Sequence, residues 1–154
     1  MIAVIDYGVG NLFSLSSSLA YLGLENKVTR SARELDEASH IILPGVGAFG
    51  DAMEKLASTG LVPELERQVP HIGWNSLHLV RPENPLMANT REGDFVYFVH
   101  SFYVKGCGDA LVAGAEYGVT VPGAVARGNV YGCQFHPEKS GNVGLGILKA
   151  FCEI

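Results

Sequence analysis

Cysteine is scarce in this chain: Cys107, Cys133 and Cys152 are three among 154 residues, and no C-x-x-C pair occurs. An odd, scattered set of thiols excludes a disulfide framework and a structural zinc site, and fits a reducing, cytoplasmic setting. Charge is also sparse, at 18% of residues. With 11 Lys and Arg against 16 Asp and Glu, the chain lacks the clustered basic surface that nucleic-acid binding requires. No apolar run approaches the roughly 20 residues of a membrane-spanning helix. The opening MIAVID has no basic lead-in and meets Asp6, so it does not read as a signal peptide. His40, His71, His78 and His100 show no ligand spacing, so neither a metal nor an organic cofactor is expected.

Apolar residues, by contrast, make up 47%, enough to fill one well-packed domain with no second beside it. The first half alternates strand-like and helix-like stretches. MIAVID is a short buried-strand pattern, and Asn11 then opens a helix with Leu12, Leu15, Leu19 and Leu22 at helical spacing and Gly23 as its stop. A second strand falls at 27–29. Ser31 and Glu34 match a capping box for a brief helix, and a third strand at 40–43 closes at Pro44-Gly45. Phe49, Ala52, Met53 and Leu56 share one helical face, and a further helix is expected over 61–68. This order predicts a parallel α/β sheet. The second half is aromatic and β-branched at 94–104, 111–117 and 130–135, which predicts added antiparallel strands, with a turn at Gly128-Asn129. Ser140 is expected to cap a last helix that turns Val143, Ile147, Leu148 and Phe151 inward.

Three short motifs carry chemistry. Gly8-Val9-Gly10 follows the first strand, but a dinucleotide fingerprint needs glycine at 13, where Phe13 stands, so the pair reads as a tight turn. Pro44-Gly45-Val46-Gly47 also follows a strand. Its glycines allow backbone amides to face outward, as an oxyanion site requires, and an ordinary strand-to-helix turn has the same composition. His136-Pro137-Glu138 sets a carboxylate two residues from an imidazole, on the same side of an extended segment. That is two thirds of a nucleophile–base–orienter set, although an isolated H-x-E is more often a surface His beside a surface Glu.

The ordered combination says more. Ile5-Asp6-Tyr7-Gly8-Val9-Gly10-Asn11-Leu12, Pro44-Gly45-Val46-Gly47-Ala48-Phe49-Gly50, Pro70-His71-Ile72-Gly73-Trp74-Asn75, Tyr97-Phe98-Val99-His100-Ser101 and Gln134-Phe135-His136-Pro137-Glu138-Lys139-Ser140 follow one another. Together they resemble the glutaminase subunits of imidazole glycerol phosphate synthase, which are class I glutamine amidotransferases. The resemblance spans nearly the whole chain. It implies a flavodoxin-like parallel sheet with added antiparallel strands, and hydrolysis of glutamine to glutamate through a cysteine thioester. The ammonia would pass to a (β/α)8-barrel cyclase subunit in histidine biosynthesis. By motif, His136 would be the general base and acid, Glu138 its orienting partner, and the Val46 amide an oxyanion donor. Gly47, Ser101 and Phe102 would lie against the substrate. Trp74, Tyr97 and Lys139 would face the cyclase or the ammonia path.

One departure is large. The family carries a nucleophile elbow, G-x-C-x-G-x-Q, and here Leu65-Glu66-Arg67-Gln68 runs straight into Val69-Pro70-His71. A segment of about 45 residues, with the strand, elbow and helix that would present the cysteine, is absent, and the second oxyanion donor goes with it. The remaining cysteines do not replace it. Cys133 lies an odd number of residues before His136, which sends it to the opposite strand face. Cys107 sits in a Gly-Cys-Gly loop, and Cys152 on the last helix. Sliding Asn75 onto the elbow position yields a poor nucleophile without the elbow's second glycine. Either the protein has the segment and these 154 residues omit it, which makes it a glutaminase, or the segment is truly deleted and the alternative is a non-catalytic partner-binding subunit.

Overall fold

The computed structural model describes residues 1–8, 10–45 and 71–154. They belong to two compact units, Met1–Lys55 and Leu56–Ile154. Val46, Gly47, the helices expected at 49–56 and 61–68, and the junction at 68–69 lie outside the described residues.

The first unit is a parallel three-stranded sheet. Strand β1 (Ile2–Ile5) lies between β2 (Asn26–Thr29) and β3 (His40–Ile42). Its Ala3 and Val4 are fully buried, as the apolar run predicts. Helix α1 (Leu12–Tyr21) begins at Asn11, whose side-chain oxygen accepts from the Ser14 amide, and it buries Leu15 and Leu19. Gly23 follows at φ +74°, a conformation that L side chains rarely adopt.

Helix α2 (Ala32–Asp36) forms where expected, but the capping box does not. Ser31 makes no side-chain cap. Thr29 takes over, its hydroxyl accepting from the Ser31 amide at 3.0 Å and donating to Glu34. Lys27 holds the other oxygen of Glu34 at 2.6 Å, so that carboxylate is spent on β2 and never reaches back to the helix start. Gly10 sits at φ +103°, and a Cβ there would come within 2.9 Å of the Pro44 ring. Tight-turn geometry accounts for both glycines of the Gly8/Gly10 motif, since Gly8 is at φ +90°.

The second unit holds β4 (His71–Ser76), β5 (His78–Leu79), β6 (Phe95–His100), β7 (Leu111–Glu116), β8 (Thr120–Arg127) and β9 (Val130–Cys133), then helix α3 (Gly141–Cys152). Strands β4 and β6 form an antiparallel ribbon, and β5-β7-β8-β9 an antiparallel sheet. Leu77, Leu86, Val96, Phe98, Val112, Phe135 and Ile147 belong to one core cluster. Of the residues expected inward on α3, Ile147 and Leu148 are buried, while Val143 and Phe151 pack against the rim of the core.

Sequence reading missed β4, β5 and β8. Strand β8 carries Pro122 and Gly123, which read as breakers. Yet a Cβ on Gly123 would come within 3.0 Å of Leu77, so glycine is what lets this strand close on the core. Strand β9 ends at Cys133 rather than Phe135, so the strand alternation used to place Cys133 against His136 does not extend to the histidine.

Candidate active site and partner face

His136 ends the extended segment after β9 and is the cap of a one-turn 3-10 helix, Pro137–Lys139. Three bonds tie this turn down. The His136 amide donates to the Tyr97 carbonyl at 2.9 Å. The Tyr97 amide donates to the Ser140 hydroxyl oxygen at 2.9 Å, and that hydroxyl donates to the His136 carbonyl at 2.6 Å. Ser140 is buried. It precedes α3 as expected, but its side chain does not cap the helix; the hydroxyl is committed to β6 and the histidine. Gly144 completes the support. A Cβ there would lie 1.9 Å from the Pro137 carbonyl oxygen, so only glycine lets α3 press this closely on the turn.

Within the turn, His136 Nδ1 and Glu138 Oε1 are 2.9 Å apart. The imidazole keeps about a quarter of its surface exposed and the carboxylate 8%. Burial pushes the Glu138 pKa up, but the His136 hydrogen bond, the residue's own amide, and the charges of His136 and Lys139 outweigh it and hold the carboxyl below its usual range. An ionised Glu138 accepts from Nδ1–H and leaves Nε2 as the basic atom of the ring. That is the chemistry of a general base with its orienter.

The ribbon places the other candidates. Its ladder pairs His71 with His100, Ile72 with Val99, Gly73 with Phe98, Trp74 with Tyr97, Asn75 with Val96 and Ser76 with Phe95. Alternation sends Ile72, Trp74, Phe95, Tyr97 and Val99 to one face. That face is open: Ile72 is 63% exposed and Trp74 55%. Trp74 and Tyr97 meet edge to face at 6.0 Å, and the Trp74 ring reaches 4.0 Å from a Cβ placed on Gly141. Lys139 is exposed, and Ser101 and Phe102 are half-buried just beyond the end of β6.

No thiol joins the imidazole. Among the described residues, no hydrogen bond links Cys107, Cys133 or Cys152 to His136. Burial, and then the charge of Glu153, push the Cys152 thiol up to about 11, the wrong direction for a nucleophile. Asn75 is committed elsewhere: its amide nitrogen donates to the Glu116 carbonyl at 2.9 Å and its oxygen accepts from the Ser76 amide at 2.8 Å. Among the described residues no group of three or more His, Cys, Asp or Glu is placed to hold a metal ion. No described helix is long and apolar enough to cross a membrane.

Sequence reading gave His71 and His100 no role, yet the structure puts them on the ribbon's other face with Nδ1 of His71 3.1 Å from Nε2 of His100. Their signal was present only as a register, since two histidines 29 residues apart become neighbours once β4 and β6 pair.

The family model for "Glutamine amidotransferase class-I" matches residues 56–153. "Imidazole glycerol phosphate synthase subunit HisH" of Caldanaerobacter subterraneus subsp. tengcongensis is 37% identical over 200 residues, covering 100% of this chain and 98% of that protein. The subunit of the same name from Bacillus cereus (strain G9842) is 40% identical over 197 residues, covering 98% and 93%. Because 200 aligned positions meet a chain of 154 residues, at least 46 positions of that alignment have no residue here. Among solved structures, a chain of PurLQS from Thermotoga maritima superposes with a TM-score of 0.76 at 20% identity, covering 99% of this chain and 97% of that one. A glutamine amidotransferase from the same organism gives 0.62 at 15%, covering 99% and 82%.

Proposed function

The chain belongs to the class I glutamine amidotransferase family, and on that premise we propose that it is the glutaminase subunit of an imidazole glycerol phosphate synthase. In such a subunit a thiolate attacks the side-chain amide carbon of glutamine. The C–N bond breaks, the imidazole gives the departing nitrogen its proton, and ammonia leaves. Water, deprotonated by the same imidazole, then cleaves the thioester and frees glutamate. His136 is the proton carrier and Glu138 its orienter. The Val46 amide is the oxyanion donor, and Gly47, Ser101 and Phe102 line the glutamine side.

The observation that carries this reading is the 2.9 Å contact between His136 Nδ1 and Glu138 Oε1 in a turn braced by β6 and α3. A chance surface pair has no need of a buried serine holding its backbone. The partner is the (β/α)8-barrel cyclase subunit that takes up the ammonia in histidine biosynthesis. Its docking is supported by the open face of Ile72, Trp74, Phe95 and Val99, all exposed, since contiguous apolar surface marks an interaction site. Trp74, Tyr97 and Lys139 stand on the partner side or along the ammonia path.

A second reading is favoured by one observation: among the described residues, no cysteine thiol is hydrogen-bonded to the imidazole. In it the 154-residue chain binds the cyclase and leaves glutamine intact. Titrating the chain with the cyclase subunit tests what both readings share, with a saturable one-to-one complex expected. An absence of binding overturns the partner assignment. Restoring the absent segment from the Caldanaerobacter relative separates them: glutamate release that rises on cyclase binding is expected of the glutaminase, and none of an idle dyad.

A further inference from the structure

The inner face of the β4–β6 ribbon carries a chain of hydrogen bonds whose direction is determined at both ends. At one end, Asn75 donates its amide nitrogen to the Glu116 carbonyl and accepts from the Ser76 amide. Those two backbone partners identify its nitrogen, which also stands 3.3 Å from His71 Nε2 and donates to it. At the other end, His100 Nδ1 is 3.0 Å from the Phe102 carbonyl oxygen. A carbonyl only accepts, so Nδ1 of His100 carries the hydrogen.

A neutral imidazole has one donor and one acceptor. His100 Nε2 is therefore the acceptor in the 3.1 Å contact with His71, and His71 Nδ1 the donor. His71 Nε2 is left as an acceptor, which is what Asn75 supplies. Every ring nitrogen is satisfied with both histidines uncharged, and in one arrangement only. A proton added to either ring sets two N–H groups against each other or against the Asn75 amide.

The surroundings enforce the same state. His71 is stacked between Phe98 (centroids 4.4 Å, 14°) and Tyr117 (4.2 Å, 10°). Burial, then the nearby His100, lower its pKa. For His100 burial again comes first, opposed by the Phe102 carbonyl and reinforced by the charge of His136. Of the titratable groups among the described residues, His136 from the turn before α3 acts on His100 and Tyr117, just past β7, stacks on His71, while Glu116 at the end of β7 offers its backbone carbonyl to Asn75. The Glu116 carboxylate is held by the Thr120 hydroxyl at 2.6 Å.

We infer that His71 and His100 are positioning residues: a one-way relay, Asn75 to His71 to His100 to the Phe102 carbonyl, clamps the Ser101–Phe102 segment to the ribbon. The inference deepens the proposed function, on whose reading Ser101 and Phe102 line the glutamine side. The relay anchors that wall, and keeps an uncharged ring near His136, so that an imidazolium formed there meets no second charged ring. This function does not require His71 or His100 to touch substrate.

The test uses His71→Phe, which keeps a flat ring between Phe98 and Tyr117 and removes only the hydrogen bonds. Histidine 15N spectra of the whole chain near pH 7.5 should show both His71 and His100 with hydrogen on Nδ1; a hydrogen on Nε2 of either ring overturns the relay. In His71→Phe, His100 should keep its hydrogen on Nδ1, held by the Phe102 carbonyl, but its Nε2 resonance should move toward that of an unbonded imine nitrogen and the Phe102 carbonyl carbon resonance should move, while β7 and β8 signals stay in place. A His100 Nε2 resonance and a Phe102 carbonyl both unmoved would reduce His71 to packing and overturn the inference. Glutamine titrated into both proteins judges the underlying reading separately. Binding weakened about tenfold in His71→Phe places Ser101 and Phe102 at the substrate. Equal binding, or none to either protein, leaves a relay shown by the spectra standing and removes those two residues from the pocket.

Discussion

The hydroxyl of Ser140 donates to the carbonyl of His136 at 2.6 Å and accepts from the Tyr97 amide at 2.9 Å. One buried side chain thus ties the imidazole-bearing turn to strand β6 at the point where α3 begins. Ser140→Ala leaves the Tyr97 amide without its acceptor in a buried site, so denaturant unfolding should show a loss of about 1–3 kcal/mol. A loss within error of zero would mean that the turn is held by its other contacts.

The dyad makes a kinetic prediction in the segment-restored chain. Removing a positioned general base costs roughly 10²–10⁴ in rate, so His136→Ala should lower glutamate release by that order. Glu138→Gln should lower it less, because the amide still accepts from Nδ1–H but no longer balances the charge of the imidazolium. Full activity in His136→Ala would remove the histidine from proton transfer.

The depressed pKa values of His71 and His100 set a direction for stability against pH. In the unfolded chain both rings take up protons near the ordinary histidine value of about 6.5, whereas in the folded chain they remain neutral to lower pH. Protons then favour the unfolded state, so stability is full above that value and falls with acid until the folded rings also protonate. Glu138 adds to the same trend at lower pH, because its lowered pKa gives stability that is lost as pH falls through the carboxylate range. Denaturation midpoints between pH 7.5 and 5 should fall with acid in the wild type and fall less in His71→Phe. Parallel curves for the two proteins would contradict this.

Trp74 is 55% exposed on the outer face of the ribbon and packs edge to face on Tyr97. Trp74→Glu should leave unfolding nearly unchanged. At the centre of an interface it should weaken cyclase binding by about 2 kcal/mol or more, as loss of a tryptophan anchor does. Calorimetry showing equal affinity would move the interface elsewhere.

Much of the frame was legible in the sequence for a simple reason. In the first unit the apolar runs are short, the central strand β1 is buried on both faces, and Asn11 and Gly23 punctuate α1 by mechanisms acting within a few residues. The capping box at Ser31 and Glu34 failed because Lys27 and Thr29, on the neighbouring strand β2, compete for the same carboxylate. Strand β8 went unseen because Pro122 and Gly123 read locally as breakers, while the close approach of Leu77 that calls for glycine is a tertiary fact. The dyad was visible because its partners are two residues apart. The support from Ser140, and the His71–His100 relay, were invisible because each depends on which strand lies opposite which.

The account's central claim is that this chain has the proton-handling half of a glutaminase site and no sulfur to complete it. The most direct test is glutamate release by purified protein whose intact mass is 16.5 kDa, with glutamine and the cyclase subunit both present. The segment-restored glutaminase should release glutamate, whereas the 154 residues alone, without the elbow cysteine, should release none at any pH. Turnover by the 154-residue protein would contradict this, and would make one of Cys107, Cys133 and Cys152 the nucleophile.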